Sequence, residues 1–329
     1  YHSIEHTKKI FKNSMTSIEL ENYIDINTLK IIASGSIGQV YYARRKEDNI
    51  EIALKIKHPN IEHDLENQTS LIKIIKYIQS INYFKIKYNL VFNIDDFLED
   101  INLQCDFNNE ANNTVKFKDN FKDSENYIIF PNILFQSKDL LISEYIDGNS
   151  VDSLSDMDKY KTSLNFICFF KQMMFVDNFI HGDLHCKNWK VRTNTITNTV
   201  QMIIYDCGIC FYNSSAELSC KFWFALVNYD IEIIIQTLLE FIKQNNDINT
   251  YYFNSKKFNN DIINIFKIIV TDSMGTSLIM KIILDLFKNN NIIINKFLLN
   301  FTIFICVIEE YMKKNNLINK ISCTQNVSM

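Results

Sequence analysis

Four groups of residues in this chain have the types and spacing needed for chemistry on a phosphate. The most pointed is His181-Gly182-Asp183-Leu184-His185-Cys186-Lys187-Asn188. Asp183 can face an acceptor hydroxyl while Asn188, five residues on, turns its amide oxygen back toward a metal ion. The second is Ile203-Ile204-Tyr205-Asp206-Cys207-Gly208, an apolar strand ending in Asp-x-Gly, where Asp206 offers a hard cation an oxygen donor. The third is Lys55 in Ala53-Leu54-Lys55-Ile56. An ammonium among apolar neighbours needs an anion, which phosphate oxygens and a carboxylate would supply. Glu110, in Asp106-Phe107-Asn108-Asn109-Glu110-Ala111, is the candidate carboxylate. The fourth is Ala33-Ser34-Gly35-Ser36-Ile37-Gly38-Gln39-Val40, a glycine turn between apolar runs. Backbone N–H groups there can approach phosphate oxygens that a side chain would block.

Glycine is scarce enough to make its positions informative. A chain of this length carries about 23 Gly and about 16 Pro at average usage; this one carries 6 and 2. Arg and Ala are also rare while Asn, Ile, Lys and Tyr abound, the signature of AT-rich codons. Gly35, Gly38, Gly148, Gly182 and Gly208 nevertheless fall in or beside these groups and a connecting segment, in order. Only Gly275 stands apart.

Composition narrows the class. With 47% hydrophobic and 22% charged residues the chain is globular, and its net charge of −4 provides no basic field for nucleic acid. The eight cysteines are scattered through a long chain, as expected of reduced thiols in an intracellular protein. Cys207 and Cys210 form one Cys-x-x-Cys without the second pair or histidines a zinc site needs, and read as two small buried or half-buried thiols. Residues 1–12 contain no apolar signal core, although the chain starts at Tyr1 and a targeting segment upstream would go unseen. The apolar run Phe297 to Ile308 is too short to span a bilayer; it reads as a buried helix, with peripheral membrane contact as the alternative.

The elements that must position these groups follow from periodicity. Ile31-Ile32, Val40-Tyr41-Tyr42 and Ile52 to Ile56 read as strands, the last two joined by the polar hairpin Lys46-Glu47-Asp48-Asn49. Residues 60–122 show helical spacing, as at Leu71, Ile74, Ile75 and Ile78. Strand character returns at Tyr127 to Phe135 and Leu140 to Ile146. From residue 151 the pattern is mostly helical, interrupted by a turn-rich patch at 181–210. The expected fold is α+β: an N-terminal extension (1–23), a small antiparallel β N-lobe (24–146) with a helical insertion at about 60–122, a mostly helical C-lobe (147–315) and a polar tail (316–329).

In order, the groups match the motifs of a bilobal protein-kinase-like fold: a phosphate loop with Ala at its first Gly position, the strand lysine, the catalytic loop H-x-D-x-x-x-x-N and the D-F-G position. Glu144-Tyr145-Ile146-Asp147-Gly148 then reads as the hinge between lobes, with the main chain of Glu144 and Ile146 binding the adenine edge and Ser143 lining the back of that pocket. In this scheme Ala33, Ser34, Gly35, Ser36, Gly38, Val40 and Lys55 hold ATP. Glu110 orients Lys55, Asn188 and Asp206 carry Mg²⁺, and Asp183 orients a hydroxyl or water. His185 reads either as a cation for the terminal phosphate or as loop packing, and His181 as a brace for the loop.

The combination of the phosphate loop, Lys55-Ile56-Lys57-His58-Pro59-Asn60-Ile61, Asp106 to Asn112 and the His181 loop resembles the UbiB-type atypical kinases, from about residue 28 to about 235. The resemblance implies binding of ATP or ADP with Mg²⁺, ATPase rather than general protein-kinase activity, and association with membranes and lipid-like quinone precursors of coenzyme Q biosynthesis. Several departures stand out. Gly35 replaces the family's alanine-rich loop, and its Lys-x-Gly-Gln motif is missing from residues 1–30. Gln104-Cys105-Asp106 replaces the Glu-x-Asp motif that partners that lysine. A lysine and its counter-charge are absent together, which leaves neither unpaired in a dry site. The alternatives are a small-molecule phosphotransferase of the aminoglycoside or choline kinase kind, and a nucleotide-binding scaffold without turnover. The segment Phe211 to Leu218 is short and no Ala-Pro-Glu follows Gly208, which argues against a peptide substrate.

Overall fold

The computed structural model describes residues 1–64, 94–194, 197, 199–228, 230–244, 255–272, 276–290, 292, 294 and 296–315. Leu71, Ile74, Ile75, Ile78, Gly275 and the tail 316–329 lie outside the described residues.

Helices α1 (Ile4–Ser14) and α2 (Leu20–Tyr23) precede three strands, β1 (Ile24–Ser34), β2 (Gly38–Arg45) and β3 (Glu51–Lys57). The β2–β3 hairpin closes where sequence placed it. Arg45 Nε donates to Asp48 Oδ1 at 2.9 Å, and Asn49 takes the left-handed conformation at φ 60°, which asparagine tolerates well. Helices α3 (Ile94–Gln104) and α4 (Phe107–Asn120) follow, then β4 (Ile128–Ile129), β5 (Ile133–Gln136) and β6 (Leu140–Glu144). Five strands form one antiparallel sheet in the order β1-β2-β3-β6-β5.

Alternation along β3 gives this sheet two faces. Ile52, Leu54 and Ile56 point to the back, where they are fully buried with Tyr41, Ala43, Leu140 and Ile142. Phe11 of α1 and Leu20 of α2 cover that face, so residues 1–23 close the sheet's core. Ala53 and Lys55 face the front and are only half-buried. There α4 presents Phe107 and Ala111 to Leu141. Its buried positions Phe107, Glu110, Ala111, Thr114 and Phe117 trace one helical stripe.

Helix α5 (Asp156–Lys171) leads to β7 (Phe179–His181), β8 (Trp189–Asn194), β9 (Thr199–Ile204) and β10 (Cys210–Tyr212). The patch 181–210, expected to be turn-rich, holds short strands among its turns: β8 and β9 form an antiparallel hairpin, and β4 joins β9 in parallel. Ile203 and Ile204, read as strand from sequence, end β9, whereas β8 and the start of β9 carry polar residues such as Lys190, Arg192 and Gln201, which hid them from a search for apolar runs. The remaining helices are α6 (Ala216–Val227), α7 (Ile231–Gln244), α8 (Ser255–Asp272), α9 (Thr276–Asn289) and α10 (Lys296–Lys314).

The chain divides into two compact units. One draws its described residues from 1–71, 98–165 and 181–210, and contains every group with phosphate chemistry. The other draws from 72–97, 166–180 and 211–329. Its core is aromatic: Phe170 stacks on Phe304 with ring centroids 4.9 Å apart, and Phe241 on Phe297 at 5.7 Å. The run Phe297 to Ile308 lies within α10, with Phe297, Leu298, Phe301 and Phe304 buried as expected of a packed helix. Among the described residues no helix is long and apolar enough to cross a membrane.

Candidate nucleotide and metal site

Register places the front-face side chains. Val40 pairs with Lys55, Lys55 with Leu141, and Ala53 with Ser143, and directly opposed residues share a face. Val40, Ala53, Lys55 and Ser143 therefore project from the same side of the sheet. Lys55 Nζ donates to Glu110 Oε2 at 2.6 Å and to Asp206 Oδ2 at 3.1 Å. One ammonium thus faces two carboxylates, and the charges respond accordingly. Burial, aided by the neighbouring Asp206 charge, pushes the Glu110 carboxyl up to about 8 against the pull of Lys55. Burial alone would lower the Lys55 ammonium, but Asp206 and Glu110 outweigh it and hold it raised. Burial likewise opposes ionisation of Asp206, yet Lys55 and the Gly208 N–H keep its carboxyl below the ordinary value. Asp206 holds the charge and Glu110 is the acid that gives way, so at neutral pH the cluster is one ammonium beside one ionised carboxylate.

Two of the glycines in these groups are closely crowded. A Cβ on Gly38 would stand 2.8 Å from the Ile56 carbonyl oxygen and 3.1 Å from the Phe107 ring. A Cβ on Gly208 would stand 3.0 Å from Asp206 Oδ1, the oxygen that accepts the Gly208 N–H at 2.9 Å. The phosphate loop itself is a tight turn between β1 and β2, with the Gly35 N–H donating to the Gly38 carbonyl at 2.9 Å. His58, from the Lys-His-Pro segment, clamps this loop from behind. Its Nε2 donates to the Gly35 carbonyl at 3.2 Å and its own N–H bonds the Ile37 carbonyl at 2.9 Å.

The His181 loop is built by hydrogen bonds that aim its carboxylate and amide. His181 is buried; its Nδ1 accepts the Asp183 N–H at 3.2 Å, so Nε2 carries the proton and donates to the Asp206 carbonyl at 2.6 Å. This one ring ties the loop to the Asp-x-Gly turn, the bracing role read from sequence. Asn188 Nδ2 donates to the Asp183 carbonyl at 2.8 Å, and Tyr205 N–H bonds the Asn188 carbonyl at 2.9 Å. The amide nitrogen is committed, while Asn188 Oδ1 accepts no hydrogen bond among the described residues. Asp183 is part-exposed, with its Oδ2 3.7 Å from His185 Nε2. Since His185 Nδ1 accepts the Lys187 N–H at 3.2 Å, the neutral ring keeps its proton on the side facing Asp183. Lys187 itself is exposed.

In the segment Glu144 to Gly148, expected from sequence to be a hinge, the Tyr145 N–H bonds the Glu51 carbonyl at 3.0 Å, and Glu144 Oε2 accepts from Asn132 Nδ2 at 2.7 Å. Tyr205, next to Asp206, donates its hydroxyl to the Ile146 carbonyl at 2.9 Å. The Ile146 N–H, like that of Asp147, has no hydrogen-bond partner among the described residues. Sequence reasoning gave no role to Tyr205, to Asn113, whose Nδ2 holds the Cys207 carbonyl at 2.9 Å, or to Asp106, which caps α4 through the Asn108 N–H at 3.0 Å. Only Asp106 had a legible signal, an aspartate at the start of a helical stripe.

The donors fit Mg²⁺. Asp206 is an ionised carboxylate that is two-fifths exposed, and Asn188 Oδ1 is unengaged among the described residues. Among the described residues no three His, Cys, Asp or Glu side chains form a ready cage. Few protein ligands is the usual arrangement for Mg²⁺, which keeps waters and phosphate oxygens as its other partners.

This antiparallel sheet with its strand lysine, helix carboxylate, H-x-D-x-x-x-x-N loop and Asp-x-Gly turn defines an α+β protein of protein-kinase-like fold. Residues 2–238 match the model of the ABC1 atypical kinase-like domain, and the chain belongs to that family. It is 28% identical over 206 residues to the probable serine/threonine-protein kinase abkC of Dictyostelium discoideum, covering 60% of this chain and 29% of that protein. Probable protein kinase UbiB of Aliivibrio fischeri (strain MJ11) is 29% identical over 198 residues, covering 58% and 36%. The mitochondrial ABC1 family protein YPL109C of Saccharomyces cerevisiae is 28% identical over 219 residues, covering 58% and 33%. The chain thus spans about a third of the length of these curated relatives. Among solved structures, that of the Rv3197–erythromycin complex from Mycobacterium tuberculosis shares the fold with a TM-score of 0.61 at 14% identity, covering 96% of this chain and 83% of that one.

Proposed function

We propose that this chain is an ATP-binding atypical kinase or ATPase of the UbiB type, transferring a phosphoryl group to a hydroxyl or to water. The observation that carries the reading is Lys55 held between Glu110 and Asp206, at 2.6 and 3.1 Å. This pairing sets an ammonium beside the phosphates and a carboxylate beside the metal. Lys55 holds the α and β phosphates, oriented by Glu110. The phosphate loop from Ala33 to Val40 closes over them with main-chain N–H groups, and the Ile146 N–H receives the adenine edge. Asn188 and Asp206 hold Mg²⁺, which supplies charge neutralisation across the phosphate oxygens. Asp183 accepts the hydrogen bond of the attacking hydroxyl, and the His185 Nε2 proton lies on that side of the loop. The work is positioning and electrostatics, which suits a reaction that needs little covalent help from protein. The acceptor in this reading is lipid-like or a small molecule, such as a quinone precursor, because the segment Phe211 to Leu218 is short and no Ala-Pro-Glu follows Gly208 to dock a peptide.

The test is Mg²⁺-dependent thermal stabilisation together with ATP turnover in wild type, Asp206→Asn and Asp183→Asn. Ligand at ~100 times its Kd adds about 2.7 kcal/mol of stability. Stabilisation lost in Asp206→Asn, with only turnover lost in Asp183→Asn, is the expected pattern. Binding without turnover, even with quinone-precursor lipids or small alcohols present, would make the chain a scaffold. Absence of any nucleotide effect would overturn the reading.

A further inference from the structure

We propose that Cys207 and Cys210 form an oxidisable dithiol, a modification site that a hydroperoxide closes to a disulfide beside Asp206. The two thiols stand three residues apart in Asp206-Cys207-Gly208-Ile209-Cys210, and the bend at Gly208 and Ile209 folds the second back onto the first. Cys210 Sγ lies 3.2 Å from the Cys207 carbonyl oxygen, and the two thiols are near enough for each to perturb the other electrostatically. Cys207 is fully buried, in contact with His181 and Thr114, whereas Cys210 is part-exposed. This division suits a reactive pair: the accessible sulfur meets the oxidant and the shielded one resolves it. The pair has no other assigned work. It coordinates no phosphate in the scheme above, and with the neighbouring histidine and carboxylates it makes no metal cage among the described residues.

The chemistry balances with a hydroperoxide as the oxidant. The Cys210 sulfur attacks a peroxide oxygen, the O–O bond breaks, and hydrogen peroxide leaves one water and a sulfenic acid. The Cys207 sulfur then attacks the Cys210 sulfur; the S–O bond breaks, and hydroxide departs with the Cys207 proton as the second water. Two thiols lose two hydrogens and two electrons, and the peroxide is reduced to two waters.

Closure has a route to the site. A disulfide fixes its Cβ atoms about 3.8 Å apart, a constraint that the two residues joining Cys207 to Cys210 would pass to the main chain between them. The main chain available is held by three hydrogen bonds: Gly208 N–H to Asp206 Oδ1 at 2.9 Å, Asn113 Nδ2 to the Cys207 carbonyl at 2.9 Å, and Gly182 N–H to the Ile209 carbonyl at 2.8 Å. These bonds set Asp206 against Lys55 and the loop of Asp183. The consequence for ligand rests on the nucleotide reading above: the disulfide form binds Mg²⁺–nucleotide about tenfold or more weakly than the dithiol.

The experiment treats the reduced full chain with hydrogen peroxide and reads intact mass, a non-reducing peptide map and the Mg²⁺–ADP thermal shift. Expected is a loss of two hydrogens mapped to Cys207 and Cys210, reversed by dithiothreitol and absent in Cys210→Ser, with the Mg²⁺–ADP shift diminished in the disulfide form. Cys210→Ser, matched to wild type in unliganded melting temperature, should keep its Mg²⁺–ADP shift after peroxide. Oxygen added only at the exposed Cys168 or Cys186, with the 207–210 pair still reduced, would overturn the site. A disulfide that forms and leaves the Mg²⁺–ADP shift intact would overturn its link to Asp206. A reduced protein without any Mg²⁺–ADP shift would instead sink the nucleotide reading, while the mass data alone still decide the dithiol.

Discussion

At the residue scale the chemistry depends on a buried carboxyl that the fold holds at a cost. Glu110 titrates near 8 in the folded chain against an ordinary 4.5, so the folded state binds its proton more tightly than the unfolded one. The stability this group contributes is fully present below pH 4.5 and is lost as pH rises through about 8. Glu110→Gln removes that titration. In chemical denaturation from pH 5 to 9, the variant should lack the downward slope that Glu110 gives the wild type and should gain stability relative to it at the alkaline end. Assayed at pH 9, where the wild-type carboxyl is ionised, it should also lose Mg²⁺–ATP turnover by about 10²-fold, because Lys55 loses the charge that orients it. Parallel stability curves for the two proteins would contradict the buried-acid assignment. Ser143 allows a second residue-scale check. It is opposed to Ala53 on the face that carries Lys55, and its small side chain leaves room for bulky N6-substituted ATP analogues. Wild type should accept these about as well as ATP, and Ser143→Met should reject them; equal rejection by both would displace Ser143 from the adenine pocket.

At the scale of elements, what matters is how α4 and the short hairpins deliver those residues. Asp106 ends a non-helical stretch and accepts the Asn108 N–H, which starts α4 one turn before Glu110. Asp106→Ala removes this cap and should cost about 1 kcal/mol in unfolding free energy. Because the first turn also places Glu110 on Lys55, Mg²⁺–ADP affinity should fall with it. Asp106→Asn, another good cap, should restore both, and an alanine variant with unaltered affinity would show that Glu110 is placed by other contacts. Elements were legible where side-chain chemistry was local. The alternation of Ile52, Leu54 and Ile56 and the turn at Lys46 to Asn49 gave β2 and β3, and the glycines gave the phosphate loop. β8 and the start of β9 were not legible, although Ile203 and Ile204 announced the end of β9, since Arg192 and Gln201 bond each other across the hairpin at 2.9 Å and satisfy polar side chains that read as loop. The covering role of α1 was equally hidden. Phe11 and Leu20 meet Leu54 and Leu140 only after the chain has folded, so no local pattern announces the contact.

At the scale of the whole molecule, the candidate site is assembled from three distant stretches of sequence. Lys55, Glu110 and Asp206 are 55 and 151 positions apart along the chain by their hydrogen bonds to the lysine. Order of motifs could foretell that these residues meet, but not the brace that Tyr205 makes to Ile146 or the clamp of His58 on Gly35, which depend on three-dimensional closure. All the site residues belong to the compact unit drawn from 1–71, 98–165 and 181–210. The helices α6 to α10 belong to the other unit, stabilised by an aromatic core of its own around Phe222, Phe241 and Phe301. Ligand that binds the folded site adds its free energy to the openings that expose that site, and leaves other openings unaffected. In hydrogen exchange with saturating Mg²⁺–ADP, amides of β2, β3, α4 and residues 181–208 should therefore slow by about 10- to 100-fold. Those of α7 and α10 should exchange at the rate of the unliganded protein. Uniform slowing across both units would show that they open together and that the free energy of binding is shared by the whole chain. Slowing confined to α7 and α10 would place the nucleotide away from Lys55 and Asp206 altogether.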